Sequence, residues 1–280
     1  MLNEIYQSLS PVAFTIGPFT VHWYGIAYIV SFILCTFMVY WVARKRWKIN
    51  ISTDVIFTVL IAGMLGVIIG ARLGYVLFYG NGYYFQHPLE IFALSEGGMS
   101  FHGGLIGLIV AIPIAARFCH VPALTLGDLV CIAAPIGLGL VRIANFINGE
   151  LWGAPTSLPW GVAFASGGGV YRHPTQLYEA LLEGLVLFCL LWALSKRRPP
   201  FSRGIYTGIF LIAYGAFRIA IEFVRQPDVQ LGYLFGTGWV TMGMMLSLPM
   251  VIGGLAVLLI SRWRGLPQTG QNEEQESLSV

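Results

Sequence analysis

The stretch Leu129–Gly153 reads LVCIAAPIGLGLVRIANFINGELWG: it carries no charge from Leu129 to Val141, then places Arg142, Asn145, Asn148 and Glu150 in quick succession. The fold it belongs to depends on the solvent around it. At a water-exposed helix end such an arginine is ordinary. Near the centre of a bilayer it costs about 2.5–3.5 kcal/mol and marks a cavity or a paired site.

The rest of the chain decides for lipid. Hydrophobic residues make up 56% of it and charged residues 10%, and the mean hydropathy is +0.73. These are the values of a membrane-embedded chain, and they leave no place for a nucleic-acid partner. Apolar runs recur between polar breaks, each able to cross about 30 Å of hydrocarbon with about 20 helical residues. Seven are expected, roughly Gly17 to Ala43, Asp54 to Tyr79, Phe101 to Phe118, Leu126 to Asn145, Pro174 to Leu194, Gly204 to Val224 and Gly238 to Ser261. A β-barrel would instead alternate in polarity over segments of about ten residues. The third and fourth runs are the ones whose proline and glycines permit breaks or re-entrant geometry.

The expected fold is therefore an all-α integral membrane protein of about seven transmembrane helices, with outer-face loops or a small periplasmic head. Residues 1–265 form the membrane domain, and the polar, acidic tail 266–280 is expected to be disordered. Arg44, Lys45, Arg46, Lys48, Arg117, Lys196, Arg197, Arg198, Arg203, Arg262 and Arg264 fall on one side of these spans, against Arg172 and Arg225 on the other. The positive-inside rule then puts the N-terminus outside and the C-terminus in the cytoplasm. The start MLNEIYQSLS lacks the basic region and cleavage site of a signal peptide, so the first helix is expected to stay. Cys35, Cys119, Cys131 and Cys189 show no metal-ligand or redox spacing and are expected to be buried, inert thiols. Nor do the histidines form a metal motif, and no cofactor is implied.

Three arginines remain inside or at the edge of the spans. At about 1.5 Å per residue, Arg72, Arg142 and Arg218 lie about 27, 24 and 21 Å from the cytoplasmic starts of their helices. All three approach the outer face. The same level receives Tyr24 from HWYG, His102 from FHGGLIG and His173 from YRHPTQLYE. Tyr214, Arg218, Glu222 and Arg225 share one face of the sixth helix, where Glu222 can hold Arg218. Asn145 and Asn148 follow Arg142 toward Gly149, and Glu150 can orient Arg142 or a neighbouring amide. Paired guanidiniums suit phosphate oxygens. On residue chemistry alone, this is an outer-leaflet anionic lipid site in a polytopic helical protein. Structural lipid binding and anion transport remain open, although a carrier would need polar residues at both faces.

HWYG, GARLGYVLFY, GGMSFHGGLIG, VRIANFINGELWG, RHPTQLYE and YGAFRIAIEFVRQPD occur in the order found in prolipoprotein diacylglyceryl transferases, which this chain resembles from about Pro18 to Asp228 and more loosely beyond. Val141 and Ala144 replace glycines of that pattern, and the loop Ala154–Tyr171 is compact. The resemblance implies a bacterial cytoplasmic (inner) membrane enzyme with its active site toward the outer face. Such an enzyme transfers the diacylglyceryl group of phosphatidylglycerol to the lipobox cysteine of a prolipoprotein signal peptide, releasing glycerol phosphate. Membrane lipids are its surroundings. It further implies that Arg142, Arg218 and His102 are catalytic, the arginines on the phosphate and His102 as base for the thiol. Tyr24, Asn145, Gly153 and Glu222 match other important positions, and Tyr214 joins them as a substrate-binding candidate.

Overall fold

The computed structural model describes residues 2–78, 80, 82–93, 98–227 and 232–270, and for Phe78, Phe101 and His102 it describes the backbone only. Residues 271–280, most of the expected tail, lie outside it. The elements in chain order are α1 (Leu2–Gln7), β1 (Val12–Ile16), β2 (Phe19–His22), α2 (Trp23–Tyr40), α3 (Thr53–Phe78), α4 (Tyr83–Gln86), α5 (Phe101–Cys119) and α6 (Ala123–Asn148). There follow β3 (Val162–Ala163), β4 (Tyr171–Arg172), α7 (Thr175–Glu179), α8 (Leu187–Leu194), α9 (Ile205–Glu222) and α10 (Met242–Arg264). Wider π turns extend α2 through Trp41–Trp47 and join α7 to α8 through Ala180–Val186.

Among the described residues, six helices are long and apolar enough to cross a membrane, and the apolar stretch Gly103–Cys119 is shorter. The chain is an integral membrane protein by this measure and by its surface. Ile33 is 62% exposed and Leu259 65%, an outward apolar face that only lipid would solvate. Pro113, Pro135 and Pro249 sit inside α5, α6 and α10, which run on without a break.

Mostly helical is the observed class, and all-α needs correcting by two small hairpins. Antiparallel β1 and β2 close through a two-residue loop, Ile16 pairing with Phe19, because Gly17 at φ +57° supplies the left-handed turn that Pro18 follows. The first membrane helix thus begins at Trp23, not Gly17. β3 and β4 pair within the loop after α6.

The chain divides into two compact units. One comprises Ala43–Gly127 with Gln268–Val280 and is organised by α3 against α5. A Cβ on Gly70 would lie 2.8 Å from Gly107 Cα, and one on Gly103 would lie 2.9 Å from Gly74 Cα. Glycines four apart on both helices bring the backbones together, the small-residue packing that membranes favour. Ser100 caps α5, its hydroxyl accepting from Gly103 N at 3.3 Å. Within the described tail, Gln268 and Thr269 are buried.

The other unit comprises Met1–Val42 with Asp128–Pro267. Asp128 on α6 accepts from Gly204 N at 2.7 Å, Thr207 N at 2.8 Å and Thr207 Oγ1 at 2.7 Å, capping α9 from a neighbouring helix. At the C-terminal end of α6, Phe146 joins Tyr6, Val162 and Phe164 in a small apolar core. Asn3 and Gln7 bind the backbone of Ala163 at 2.9 Å each and so tie α1 to β3.

Candidate functional site

In the second unit α6, the α7–α8 segment and α9 meet around a buried ionic cluster. Glu179, fully buried, is its hub. Its Oε1 accepts from Arg218 Nη1 at 2.6 Å and Arg225 Nη1 at 2.9 Å, while Oε2 lies 3.0 Å from Arg142 Nε. Arg218 also pairs with Glu222 through Nη2, and Arg225 Nε is 3.6 Å from the same Glu222 oxygen. Thr241 on the chain leading into α10 donates to the other Glu222 oxygen at 2.5 Å. Glu183, one turn beyond Glu179, places Oε2 3.7 Å from Arg142 Nη2. Three guanidiniums thus face three carboxylates, which is the condition for holding such charges out of water. Tyr214, buried on α9, completes the wall beside Arg142.

Local sequence explains the assembly. Gly139 and Gly184 let α6 and the π turn touch backbone to backbone, since a Cβ on Gly184 would lie 2.7 Å from Gly139 Cα. Arg142 is one turn beyond Gly139, and Glu183 directly precedes Gly184. Further on, Gly153 N donates to His173 O at 2.9 Å, His173 N to Ala154 O at 3.0 Å and Ala154 N to Val224 O at 2.9 Å. Gly153 is therefore a backbone clasp joining the segments after α6, before α7 and after α9. A Cβ there would lie 2.6 Å from Val224 O. Arg172 lies over the Trp152 ring at 4.0 Å and steadies this clasp. Burial lowers the pKa of His173 from its ordinary value, favouring the neutral imidazole.

The same unit has an open cavity of 760 Å³ whose lining includes Thr20, His22, Tyr24, Gly25, Asn148 and Glu150. The Tyr24 and Tyr28 hydroxyls lie 3.2 Å apart, and Tyr28 is within electrostatic reach of both Arg142 and Glu150. Glu150 Oε1 accepts from Asn145 Nδ2 at 2.7 Å and Asn148 Nδ2 at 3.5 Å, so it orients the amides.

The structure brings together Arg142, Arg218, Glu222 and Tyr214 in the cluster, with Asn145 near Glu150 and Tyr24 on the cavity wall. The His102 side chain lies outside what is described. Arg72, in the other unit, spends its guanidinium on backbone carbonyls: Nε to Ile91 O at 2.7 Å, Nη2 to Glu90 O at 2.5 Å and Nη1 to Gly98 O at 3.1 Å. It stitches the segment before α5. The four cysteines are free thiols but not buried ones: Cys35, Cys119 and Cys131 are half-buried and Cys189 is exposed. On a membrane helix an outward side chain meets lipid, so burial inside protein is not required to keep it from water. Sequence reasoning overlooked Glu179 and Glu183. Two carboxylates four residues apart in the apolar run Pro174–Leu194 are as anomalous as the arginines and would have revealed them.

The model of the family described as prolipoprotein diacylglyceryl transferase matches residues 11–260. A phosphatidylglycerol–prolipoprotein diacylglyceryl transferase of Mesorhizobium japonicum is 46% identical over 260 residues, covering 89% of this chain and 90% of that protein. Proteins of the same name from Brucella canis and Brucella ovis are 45% and 44% identical over 280 residues, with 95% of each chain covered. With the match spanning both hairpins and every long helix but the last few residues of α10, the chain belongs to the prolipoprotein diacylglyceryl transferase family.

Proposed function

We propose that the chain transfers the diacylglyceryl group of phosphatidylglycerol to the lipobox cysteine of a prolipoprotein, the first step of bacterial lipoprotein maturation. The observation that carries this reading is the cluster of Arg142, Arg218 and Arg225, each guanidinium oriented by carboxylates and each presenting five donors in all. A phosphodiester docks where donors are fixed in advance. The incoming sulfur attacks the diacylglyceryl carbon that bears the phosphate oxygen. An S–C bond forms, the C–O bond breaks and its electron pair leaves on the phosphate.

Arg142 and Arg218 stabilise the charge that grows on this leaving group. His102 accepts the thiol proton, a transfer suited to an imidazole near pKa 6.5 facing a thiol near 8.5, both approximate. Tyr24, Asn145 and Tyr214 position the headgroup, Glu222 orients Arg218, and Gly153 keeps the three segments in register. Seven spans, an external N-terminus, a cytoplasmic C-terminus and a site opening toward the outer face of the inner membrane complete the reading. The basic residues support that orientation, as does the need to meet an exported signal peptide.

Purified protein in detergent, mixed with phosphatidylglycerol and a lipobox peptide, should release glycerol phosphate and add the diacylglyceryl mass to the peptide. An anion carrier would yield neither product.

A further inference from the structure

Glu183 differs from the other carboxylates of the cluster. Its side chain is fully buried, and neither oxygen accepts a hydrogen bond from a described residue. Among the described residues its nearest cation is Arg142, whose Nη2 stands at 3.7 Å, beyond hydrogen-bonding distance. Glu179 accepts from two arginines and Glu222 from Thr241. The Gly139–Gly184 backbone contact holds Glu183 where it is, facing Arg142 but not bonded to it. As an anion it is the least stabilised member of the set.

The cluster is also balanced, with Arg142, Arg218 and Arg225 against Glu179, Glu183 and Glu222. A phosphodiester docking on the arginines adds a negative charge beside carboxylates that are buried away from solvent. Neutrality returns if one carboxylate takes a proton, and the one that gives up least by doing so is the one without hydrogen bonds. We propose that Glu183 is a proton-linked positioning residue: it is protonated when an anionic phosphodiester lipid binds and ionised again when the phosphate leaves, so that Arg142 turns between carboxylate and lipid. The groups facing Glu183 are Arg142 from α6, Glu179 on its own segment, Tyr214 and Arg218 from α9, and Arg225 just beyond α9.

This inference rests on the reading that phosphate docks on the arginines, and calorimetry separates the two. The detergent-solubilised chain is titrated with phosphatidylglycerol in buffers of differing ionisation enthalpy, which counts the protons taken up. About one proton per lipid is expected, with affinity falling about tenfold per pH unit once the solution is basic enough to keep Glu183 ionised in the free protein. Dioleoylglycerol, which lacks the phosphate, should take up none. In Glu183→Gln the lipid should still bind, with no proton uptake and a flat pH profile.

Lipid binding without uptake in the wild type overturns the proton linkage and leaves the phosphate reading intact. Uptake that persists in Glu183→Gln also overturns it, by assigning the proton elsewhere. Unchanged lipid binding in Arg142→Ala/Arg218→Ala would instead sink the phosphate reading. Should Glu183→Gln fail to insert, infrared difference spectra of the wild type decide. Lipid must then bring up a protonated-carboxyl stretch, and its absence refutes the proposal.

Discussion

Glu179→Gln tests the cluster at its hub. The carboxylate accepts from Arg218 at 2.6 Å and Arg225 at 2.9 Å on one oxygen and faces Arg142 at 3.0 Å on the other. Glutamine keeps the shape and one acceptor. Its carbonyl can stay toward Arg218 and Arg225, which puts the amide donor against Arg142 Nε, donor to donor, with three guanidiniums left facing two carboxylates. Removing one partner of a buried ionic group costs about 3–5 kcal/mol. The surviving acceptor recovers about one charge-assisted hydrogen bond, about 1.5–3 kcal/mol, so a net loss of about 2 kcal/mol is expected.

At about 2–4 °C per kcal/mol for a chain approaching this size, that is a fall of about 4–8 °C in Tm. Turnover should drop further than stability suggests, by about 10²-fold, because Arg142 and Arg218 lose the group that sets their mutual angle. Thermal unfolding in detergent and release of glycerol phosphate measure the two. A variant with unchanged Tm and turnover within about twofold of wild type would refute the idea that Glu179 organises the arginines.

Arg142→Lys keeps a charge but cannot span Glu179 and a phosphate oxygen together; turnover should fall about 10- to 1000-fold while lipid binding weakens much less, and near-normal turnover would remove Arg142 from the mechanism. Gly153→Ala forces a Cβ to within 2.6 Å of Val224 O, so a loss of about 1–3 kcal/mol in unfolding free energy is expected, and an unperturbed melting curve would contradict the clasp. Replacing all four cysteines by serine or alanine should leave turnover intact, since the sulfur that reacts belongs to the substrate; loss of chemistry in a folded variant would reveal an enzyme-linked intermediate. A labelling probe after Val280 should react only from the cytoplasmic side, and reaction only from outside would overturn the orientation.

Much of the membrane architecture was legible because hydrocarbon thickness and helical rise leave few solutions for runs this apolar. The ends were less so. The helix expected from Gly17 starts at Trp23 because a glycine-proline turn folds the preceding residues into a hairpin, and apolar strand residues look like helix residues when both are surrounded by lipid. Arg72 was expected beside Arg142 and Arg218 at one level, yet its guanidinium serves three carbonyls of its own unit. Depth along a helix fixes height in the membrane but not the direction in which a side chain points.

Glu179 and Glu183 show the complementary gap. In the sequence reading Arg218 had a partner in Glu222 and Glu150 was offered to Arg142, whereas the structure sets Glu179 against both arginines, as the cost of charge in a bilayer favours. A deep arginine therefore implies acceptors, which are backbone carbonyls for Arg72 and, for Arg142 and Arg218, include the glutamates of Pro174–Leu194. Once they are counted, the described arginines and carboxylates of the cluster balance three against three. Under the proposal made for Glu183, affinity for an anion comes from donors that the carboxylates leave over and from a proton that one of them accepts. On the proposed reading phosphate recognition is an exchange of partners within the cluster, and the carboxylates, as much as the arginines, then set its strength.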